Sequence, residues 1–278
     1  MSSILITGGV GYFGQALVKR LLGGTDYSRI CIYSRDEAKH AVMRAAMNDD
    51  SRLRWFVGCV RDKERLTRAM RHVDVVVHAA ALKRIETCFY NPDEAIKSNI
   101  IGSMNVVDAC AAAAVEKSIL LSTDKAYQPV SIYGHTKAVA EAIFMSANNV
   151  YGASGPAYMA CRYGNVWGST GSVVPRWKAM IAQGAKSVPV TDPEATRFYM
   201  TSDQAVDLVI GMTDMSPKEV VIPEWLPAYR IGDLAEAMGV GMDIIGLPKL
   251  EKLHESMCDG VSSDKAPRMS VEELRCLV

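Results

Sequence analysis

This sequence of 278 residues lacks long apolar runs and an excess of either charge. Its 31 lysine and arginine side chains equal its 31 aspartates and glutamates, which argues against a general nucleic-acid binder. No apolar stretch is long enough to cross a bilayer, and we find no signal peptide and no internal repeat. We therefore expect a protein without a membrane segment.

Paired cysteines are also missing. The seven cysteines are scattered without a C-x-x-C pair, which favours reduced thiols over a disulfide framework or a zinc site. We expect a cytoplasmic protein with no bound metal. They are Cys31, Cys59, Cys88, Cys110, Cys161, Cys258 and Cys276.

A glycine-rich turn opens the chain. Residues 3–6 form an apolar run typical of a buried parallel strand, and residues 15–22 have the apolar spacing of a helix. Between them, three glycines have the spacing of a dinucleotide-binding turn: the first permits the tight turn, the second lets a pyrophosphate approach, and the third allows helix and strand to pack closely. They are Gly8, Gly11 and Gly14.

The end of the second predicted strand indicates which dinucleotide is bound. An acidic residue there would bond the ribose 2′-hydroxyl of NAD, whereas this chain has Ser34 and Arg35, with Lys39 one turn later. A hydroxyl and a guanidinium suit a 2′-phosphate, so the sequence predicts NADP. In the alternative interpretation, Arg35 is solvated and Asp36 binds the ribose.

Strands alternate with helices through the first half of the chain. This alternation predicts an α/β fold, a doubly wound parallel (Rossmann) sheet with ligands at the carboxyl ends of its strands. We expect an NADP-binding domain over residues 1–165 and a smaller C-terminal substrate-binding part over residues 166–278. Further strands are predicted at residues 29–33, 53–58, 74–78 and 117–122, and helices at residues 62–70 and from 99 onward.

Polar residues with catalytic chemistry follow the fifth strand. The tetrapeptide S-T-D-K occupies residues 122–125, and Tyr133 and Lys137 lie four residues apart, on one face of a helix. An ammonium beside a phenol favours the phenolate and lowers the tyrosine pKa from about 10 toward neutrality, where it acts as a base.

These motifs together resemble the extended short-chain dehydrogenase/reductase superfamily, whose members modify nucleotide sugars. More closely, the chain resembles the soluble, C5-inverting UDP-N-acetylglucosamine 4,6-dehydratases. It has T-D-K where dTDP-glucose dehydratases have T-D-E, and it keeps Tyr133, which the large membrane-bound members replace by methionine. Stretches that carry the resemblance are residues 33–37, 78–83, 121–126, 146–149, 162–166, 171–175, 196–198 and 251–255.

The resemblance implies a reaction on a UDP-hexosamine. Tyr133 takes the proton of the C4 hydroxyl, to which Thr123 hydrogen-bonds, while the C4 hydride passes to NADP+; Lys137 holds the phenolate and the nicotinamide ribose. The C4 ketone acidifies C5–H, so that water can leave from C5 and C6 with Lys125 as base and Asp124 as acid. The two groups can instead share one proton and titrate as a unit. Hydride then returns to C6.

The resemblance also implies binding residues and a homo-oligomer, a dimer or a hexamer. The cofactor site would contain Gly8, Gly11, Tyr12, Phe13, Gly14, Ser34, Arg35, Lys39, Cys59, Val60, Ala79, Ala80, Ala81, Lys83, Asn99, Leu121, Ser122, Tyr133, Lys137, Tyr163 and Asn165. The UDP-sugar site would contain Lys83, Thr123, Asn165, Val166, Gly171, Ser172, Val173, Val174, Arg197 and Glu251.

The chain departs from the family pattern in three places. Cys59 replaces an aspartate expected near the adenine amine, and because a thiol is a poor acceptor we expect weaker cofactor binding. Residues 249–252 lack the family's glycine, and the insert after residue 255 is short. Two alternatives remain: another enzyme of the superfamily, such as a UDP-sugar C4-epimerase or a C5/C6-elimination enzyme, and a non-catalytic NADP-binding sensor.

Overall fold

A seven-stranded sheet forms the centre of the computed structural model, which describes residues 2–215 and 220–278. The strands are β1 (Ser3–Thr7), β2 (Arg29–Ser34), β3 (Leu53–Val57), β4 (Val75–His78), β5 (Lys117–Leu121), β6 (Ala157–Cys161), β7 (Asn165–Val166), β8 (Ser187–Val190), β9 (Thr196–Met200), β10 (Val220–Val221), β11 (Ala228–Arg230), β12 (Gly241–Ile244), β13 (Ser256–Cys258) and β14 (Val261–Ser262).

Helices connect these strands. They are α1 (Tyr12–Gly24), α2 (Glu37–Ala46), α3 (Lys63–Ala69), α4 (Ile85–Tyr90), α5 (Pro92–Ala95), α6 (Gly102–Ala112), α7 (Ile132–Tyr151), α8 (Val173–Ala182), α9 (Ser202–Met212), α10 (Ile231–Ala237) and α11 (Val271–Arg275). Within residues 2–215 and 220–278, no helix is both long and apolar enough to cross a membrane.

The central sheet has the strand order β3-β2-β1-β4-β5-β6-β10, with every neighbouring pair parallel. The chain builds outward from β1 in one direction through β3 and then crosses back to β4 on the other side of β1. This reversal opens a crevice at the carboxyl ends of β1 and β4, where ligands bind in doubly wound sheets. The predicted α/β class is confirmed.

Both faces of the sheet are buried, which explains its almost continuously apolar strands. Alternate residues of β1 enter different cores: Ile4 and Ile6 join one cluster with Leu17 of α1, and Leu5 joins a second cluster with Phe144 of α7. Packing on both faces fixes the register of β1 and therefore the position of the glycine turn that follows it.

The C-terminal part has its own apolar cluster, which includes Trp177, Val188 and Leu234. It also contains the sheets β11-β9-β7 and β12-β8. The chain nevertheless returns to the first sheet, because β10 pairs with β6 and α9 packs on α1. The division at residue 165 remains a prediction, and the two parts share one sheet.

The helical stretch through Asn99 differs from the single α-helix that the pattern suggests. Residues Ile96–Ile101 form a π-helix that leads into α6. One-turn π segments often occur at functional positions because they re-aim a side chain. Here the turn carries Asn99, whose contacts are described below.

Candidate active site

A cavity of about 680 Å³ lies at the carboxyl ends of the central strands. The glycine-rich turn, the end of β2, the catalytic motifs and residues from the C-terminal part all line this cavity. The structure places every predicted site residue on this cavity wall except Asn99, Asp124 and Val174.

The three exceptions are buried in different ways. Asn99 accepts a hydrogen bond from the Leu82 backbone N–H at 2.8 Å and donates to the Thr136 hydroxyl at 2.9 Å, so it joins the loop after β4 to α7. Val174 packs in the C-terminal apolar cluster. Asp124 has no exposed surface and lies beneath the cavity wall. Asn99 and Val174 therefore support the wall from behind.

The glycine-rich turn fits a dinucleotide. Gly8 has a φ of +70°, and a Cβ on it would lie 2.9 Å from the Ala80 backbone. A Cβ on Gly14 would lie 2.4 Å from the Gly9 carbonyl oxygen. No side chain caps the N-terminus of α1, so its first N–H groups have no side-chain acceptor, and residues 11–14 line the cavity. The turn thus offers bare backbone to a pyrophosphate.

The end of β2 presents cations and not a free carboxylate. Asp36 caps α2 by accepting from the Lys39 backbone N–H at 3.0 Å, and its carboxylate lies 3.3 Å from the Lys39 ammonium. Arg35 is exposed on the cavity wall. Asp36 is engaged in the first turn of α2. It is therefore less available to accept a hydrogen bond from a ribose hydroxyl than Arg35 is to bind a phosphate.

The catalytic motifs meet because α7 begins against the turn after β5. Thr123 caps a 3₁₀ turn over Asp124–Ala126. A Cβ on Gly134 would lie 2.4 Å from the Lys125 carbonyl oxygen, so a larger residue would push the two segments apart. The Ser131 hydroxyl caps α7 by accepting from the Gly134 N–H at 3.1 Å. Together these contacts bring Tyr133 beside the turn.

The structure does not agree with the expected pKa of Tyr133. Burial raises this pKa to about 12, although Lys125 and the neighbouring Thr123 hydroxyl oppose the shift. Burial also lowers the pKa of Lys137 to about 8, against the attraction of Glu141. The prediction of a lowered tyrosine pKa is wrong for this arrangement because desolvation outweighs the nearby positive charge.

Lys125 is the centre of a buried charge cluster. Its Nζ lies 3.0 Å from an Asp124 oxygen, 3.3 Å from a Glu255 oxygen and 3.2 Å from the Asn165 side-chain oxygen. Burial lowers the pKa of Lys125, but the two carboxylates outweigh burial and raise it above its usual value. Burial raises the pKa of Asp124, so this carboxylate takes up a proton more readily than an exposed one. Lys125 instead retains its proton at rest.

Glu255 was missed as a site residue by the sequence reasoning. Burial acts to raise its pKa, but Lys125, Arg197 and Lys252 outweigh burial and lower it. It lies far from Lys125 in the chain, within a stretch that contributed only to the resemblance. No spacing pattern links the two residues, so only the tertiary fold reveals their contact.

Arg197 and Arg84 also line the cavity. Arg197 is 7% exposed and lies 3.4 Å from the Glu251 carboxylate. Arg84, which the sequence reasoning did not identify, packs against Gly171, where a Cβ would lie 2.8 Å from the Arg84 Nε. The buried Ser172 hydroxyl has no hydrogen-bond partner among the residues described. Arginine and hydroxyl groups of this kind suit a diphosphate.

Comparison with known proteins places these features in a family. The family described as "Polysaccharide biosynthesis protein" matches residues 4–274. The UDP-N-acetylglucosamine 4,6-dehydratase (inverting) of Campylobacter jejuni is 47% identical over 265 residues, which cover 94% of this chain and 78% of that protein. The UDP-glucose 4-epimerase of Rickettsia prowazekii is 37% identical over 273 residues, covering 95% of this chain and 80% of that protein.

A solved structure has nearly the same fold. The X-ray structure of Pen from Bacillus thuringiensis aligns with a TM-score of 0.92 and 31% identity, and the alignment covers 99% of this chain and 97% of that one. The resemblance to nucleotide-sugar dehydratases of the short-chain dehydrogenase/reductase superfamily is thereby confirmed. The strand order, the site and these matches together show that the chain belongs to the polysaccharide biosynthesis protein family.

Proposed function

We propose that this protein is a UDP-N-acetylglucosamine 4,6-dehydratase that inverts C5. The observation that carries the proposal is the meeting of Tyr133 with the Thr123–Asp124–Lys125 turn at one cavity that also contains a dinucleotide-binding turn. The 47% identity to a dehydratase of that name supports the substrate and the stereochemistry.

Each step can be assigned to side chains of this chain. Tyr133 accepts the proton of the C4 hydroxyl as a phenolate, a form that the positive charge of bound NADP+ would favour over the phenol, and Thr123 hydrogen-bonds the same C4 oxygen. Lys125 first passes its proton to Asp124, which lies 3.0 Å away. Asp124 then donates that proton to the leaving C6 hydroxyl, and the neutral Lys125 removes the C5 proton, so that the electron pair of the C5–H bond forms the C5–C6 double bond. Bound NADP+ would accept the hydride from C4, and the same hydride would later return to C6, so that no net oxidation occurs. Reprotonation of C5 from the face opposite Lys125 then inverts this carbon.

Arg84, Ser172 and Arg197 on the cavity wall would hold the diphosphate. Arg197 is almost fully buried and already paired with Glu251, so its guanidinium is held in one orientation. Ser172 begins α8 on the same wall and has a free hydroxyl among the described groups.

The decisive experiment is incubation of the purified protein with UDP-N-acetylglucosamine in heavy water, followed by mass spectrometry and proton NMR. We expect loss of one water molecule and deuterium at an inverted C5. Deuterium at a retained C5 would contradict the inverting subclass. Unchanged substrate in a protein that binds NADP would contradict the enzyme proposal and favour the sensor.

A C4-epimerase is the second candidate, because a protein named UDP-glucose 4-epimerase is 37% identical to this chain. An epimerase needs Tyr133 and the cofactor but no acid and base for C5 and C6. The buried Asp124–Lys125 pair would then be idle in catalysis. The same NMR experiment distinguishes the two, because an epimer keeps the C6 hydroxyl and gains no deuterium at C5.

We also propose NADP as the cofactor, and Arg35→Ala tests it. We expect the affinity for NADPH to fall about 10- to 100-fold, because a charge-assisted bond to phosphate is lost, while NADH affinity hardly changes. Fluorescence titration with both cofactors measures this. Arg29→Ala, at the opposite end of β2, is the matched control. Equal losses for both cofactors would contradict a 2′-phosphate contact.

The proposal extends to assembly and location. Helices α4 to α6 and the π-helix between them carry large apolar side chains that are 44–84% exposed, and a second copy of the chain would cover them in a dimer or a hexamer. The exposed apolar side chains are Phe89, Tyr90, Ile96, Ile101 and Met104.

All seven cysteines are free thiols, which suits the reducing cytoplasm.

A further inference from the structure

Lys125 contacts two carboxylates that come from distant parts of the chain. Asp124 precedes it in the turn after β5, and Glu255 precedes β13. Both carboxylates lie within 3.3 Å of the Lys125 Nζ. Of the two, only Glu255 lies on the cavity wall with Lys125. Lys125 and Glu255 therefore both line the cavity at the place where the chemistry at C5 and C6 would occur.

Glu255 is held in place by contacts on both sides. Its backbone N–H donates to the Ser263 hydroxyl at 2.9 Å, and its second carboxylate oxygen lies 3.2 Å from the Lys252 Nζ. Lys252 in turn donates to the Tyr127 carbonyl at 2.7 Å. Only 3% of the Glu255 side chain is exposed. A carboxylate this buried is costly unless paired, and two lysines pair it here.

We propose that Glu255 is a positioning residue of the elimination step, which it serves through Lys125. This inference rests on the proposed dehydratase function. Proton transfer from Lys125 to Asp124 produces the base and the acid together. The neutral Lys125 then takes the C5 proton while the C6–O bond breaks and the proton of Asp124 leaves in the water. Glu255 stays ionised throughout, fixes the nitrogen, and stabilises the ammonium that C5 deprotonation regenerates.

Glu255→Gln tests the proposal because it preserves shape and removes charge. With UDP-N-acetylglucosamine in heavy water, we expect deuterium incorporation at C5 to slow about 10- to 100-fold. Oxidation at C4, measured as near-ultraviolet absorbance of enzyme-bound reduced cofactor in a single turnover, should slow much less. Reduced cofactor should therefore accumulate. A purely structural role would slow both steps alike.

Two further variants keep the test decisive. Glu94→Gln removes a carboxylate from the Arg61 pair outside the cavity and should not separate the two steps. If Glu255→Gln does not fold, Glu255→Asp, which withdraws the charge by one methylene, should show the same uneven loss. Equal loss of both steps, or unchanged C5 exchange, in a folded variant overturns the inference. If wild-type protein leaves the substrate unchanged, the proposed function has failed instead.

Discussion

Replacing Tyr133 by phenylalanine should lower turnover of UDP-N-acetylglucosamine by about 100- to 10,000-fold, the usual contribution of a general base. The ionised Tyr133 side chain, on the cavity wall beside Thr123, would accept the C4 hydroxyl proton, and phenylalanine keeps the ring but not the oxygen. Both half-reactions should fail, because elimination needs the C4 ketone first. Steady-state kinetics and single-turnover cofactor absorbance measure this loss.

The control for this variant lies on the same helix. Tyr151 ends α7, and its hydroxyl donates to Asp108 at 3.2 Å, away from the cavity. Tyr151→Phe should change turnover by no more than about twofold, as expected for a substitution near the surface. If Tyr133→Phe retains more than about a tenth of wild-type turnover, another group takes the C4 proton and the assignment of Tyr133 fails.

Gly14→Ala should nearly abolish cofactor binding and lower the free energy of unfolding by at least about 2 kcal/mol. The added Cβ would lie 2.4 Å from the Gly9 carbonyl oxygen and 2.6 Å from the Gly9 Cα. Those atoms belong to the backbone of the turn, so the clash cannot be relieved by a side-chain rotation. Either α1 moves away from β1 or the turn changes shape, and each change disturbs the pyrophosphate site.

Gly23 offers a matched comparison in the same helix. A Cβ there meets no atom within 4 Å, and the residue is exposed near the end of α1. Gly23→Ala should therefore stabilise the protein by up to about 1 kcal/mol through helix propensity, with cofactor affinity unchanged. Chemical denaturation and NADPH titration of both variants measure these effects. Normal NADPH affinity in Gly14→Ala would show that the third glycine is dispensable.

The resemblance to a known family supplied most of the cavity-wall residues, whereas the fold class and the main motifs could be predicted from the residues alone. Local patterns carried this information: apolar runs for buried strands, glycines at a turn that admits no Cβ, and residues four apart on one helix face. Such patterns depend on neighbours in the chain, and the handedness of strand connections then brings the strand ends to one edge. For this reason the motifs at Gly8, Thr123 and Tyr133 could be assigned to one site from the sequence, and all three line one cavity.

The electrostatics of the site and its long-range contacts could be recognised only in the folded chain. Glu255 reaches Lys125 because residues 251–255 pack against the turn after β5, and no local pattern indicates that contact. The pKa of Tyr133 rises because burial depends on everything packed around it. Asn99 supports the wall and does not form it, since a π-helix turns its amide toward Leu82. Desolvation and contacts between distant segments arise only when the whole chain is folded.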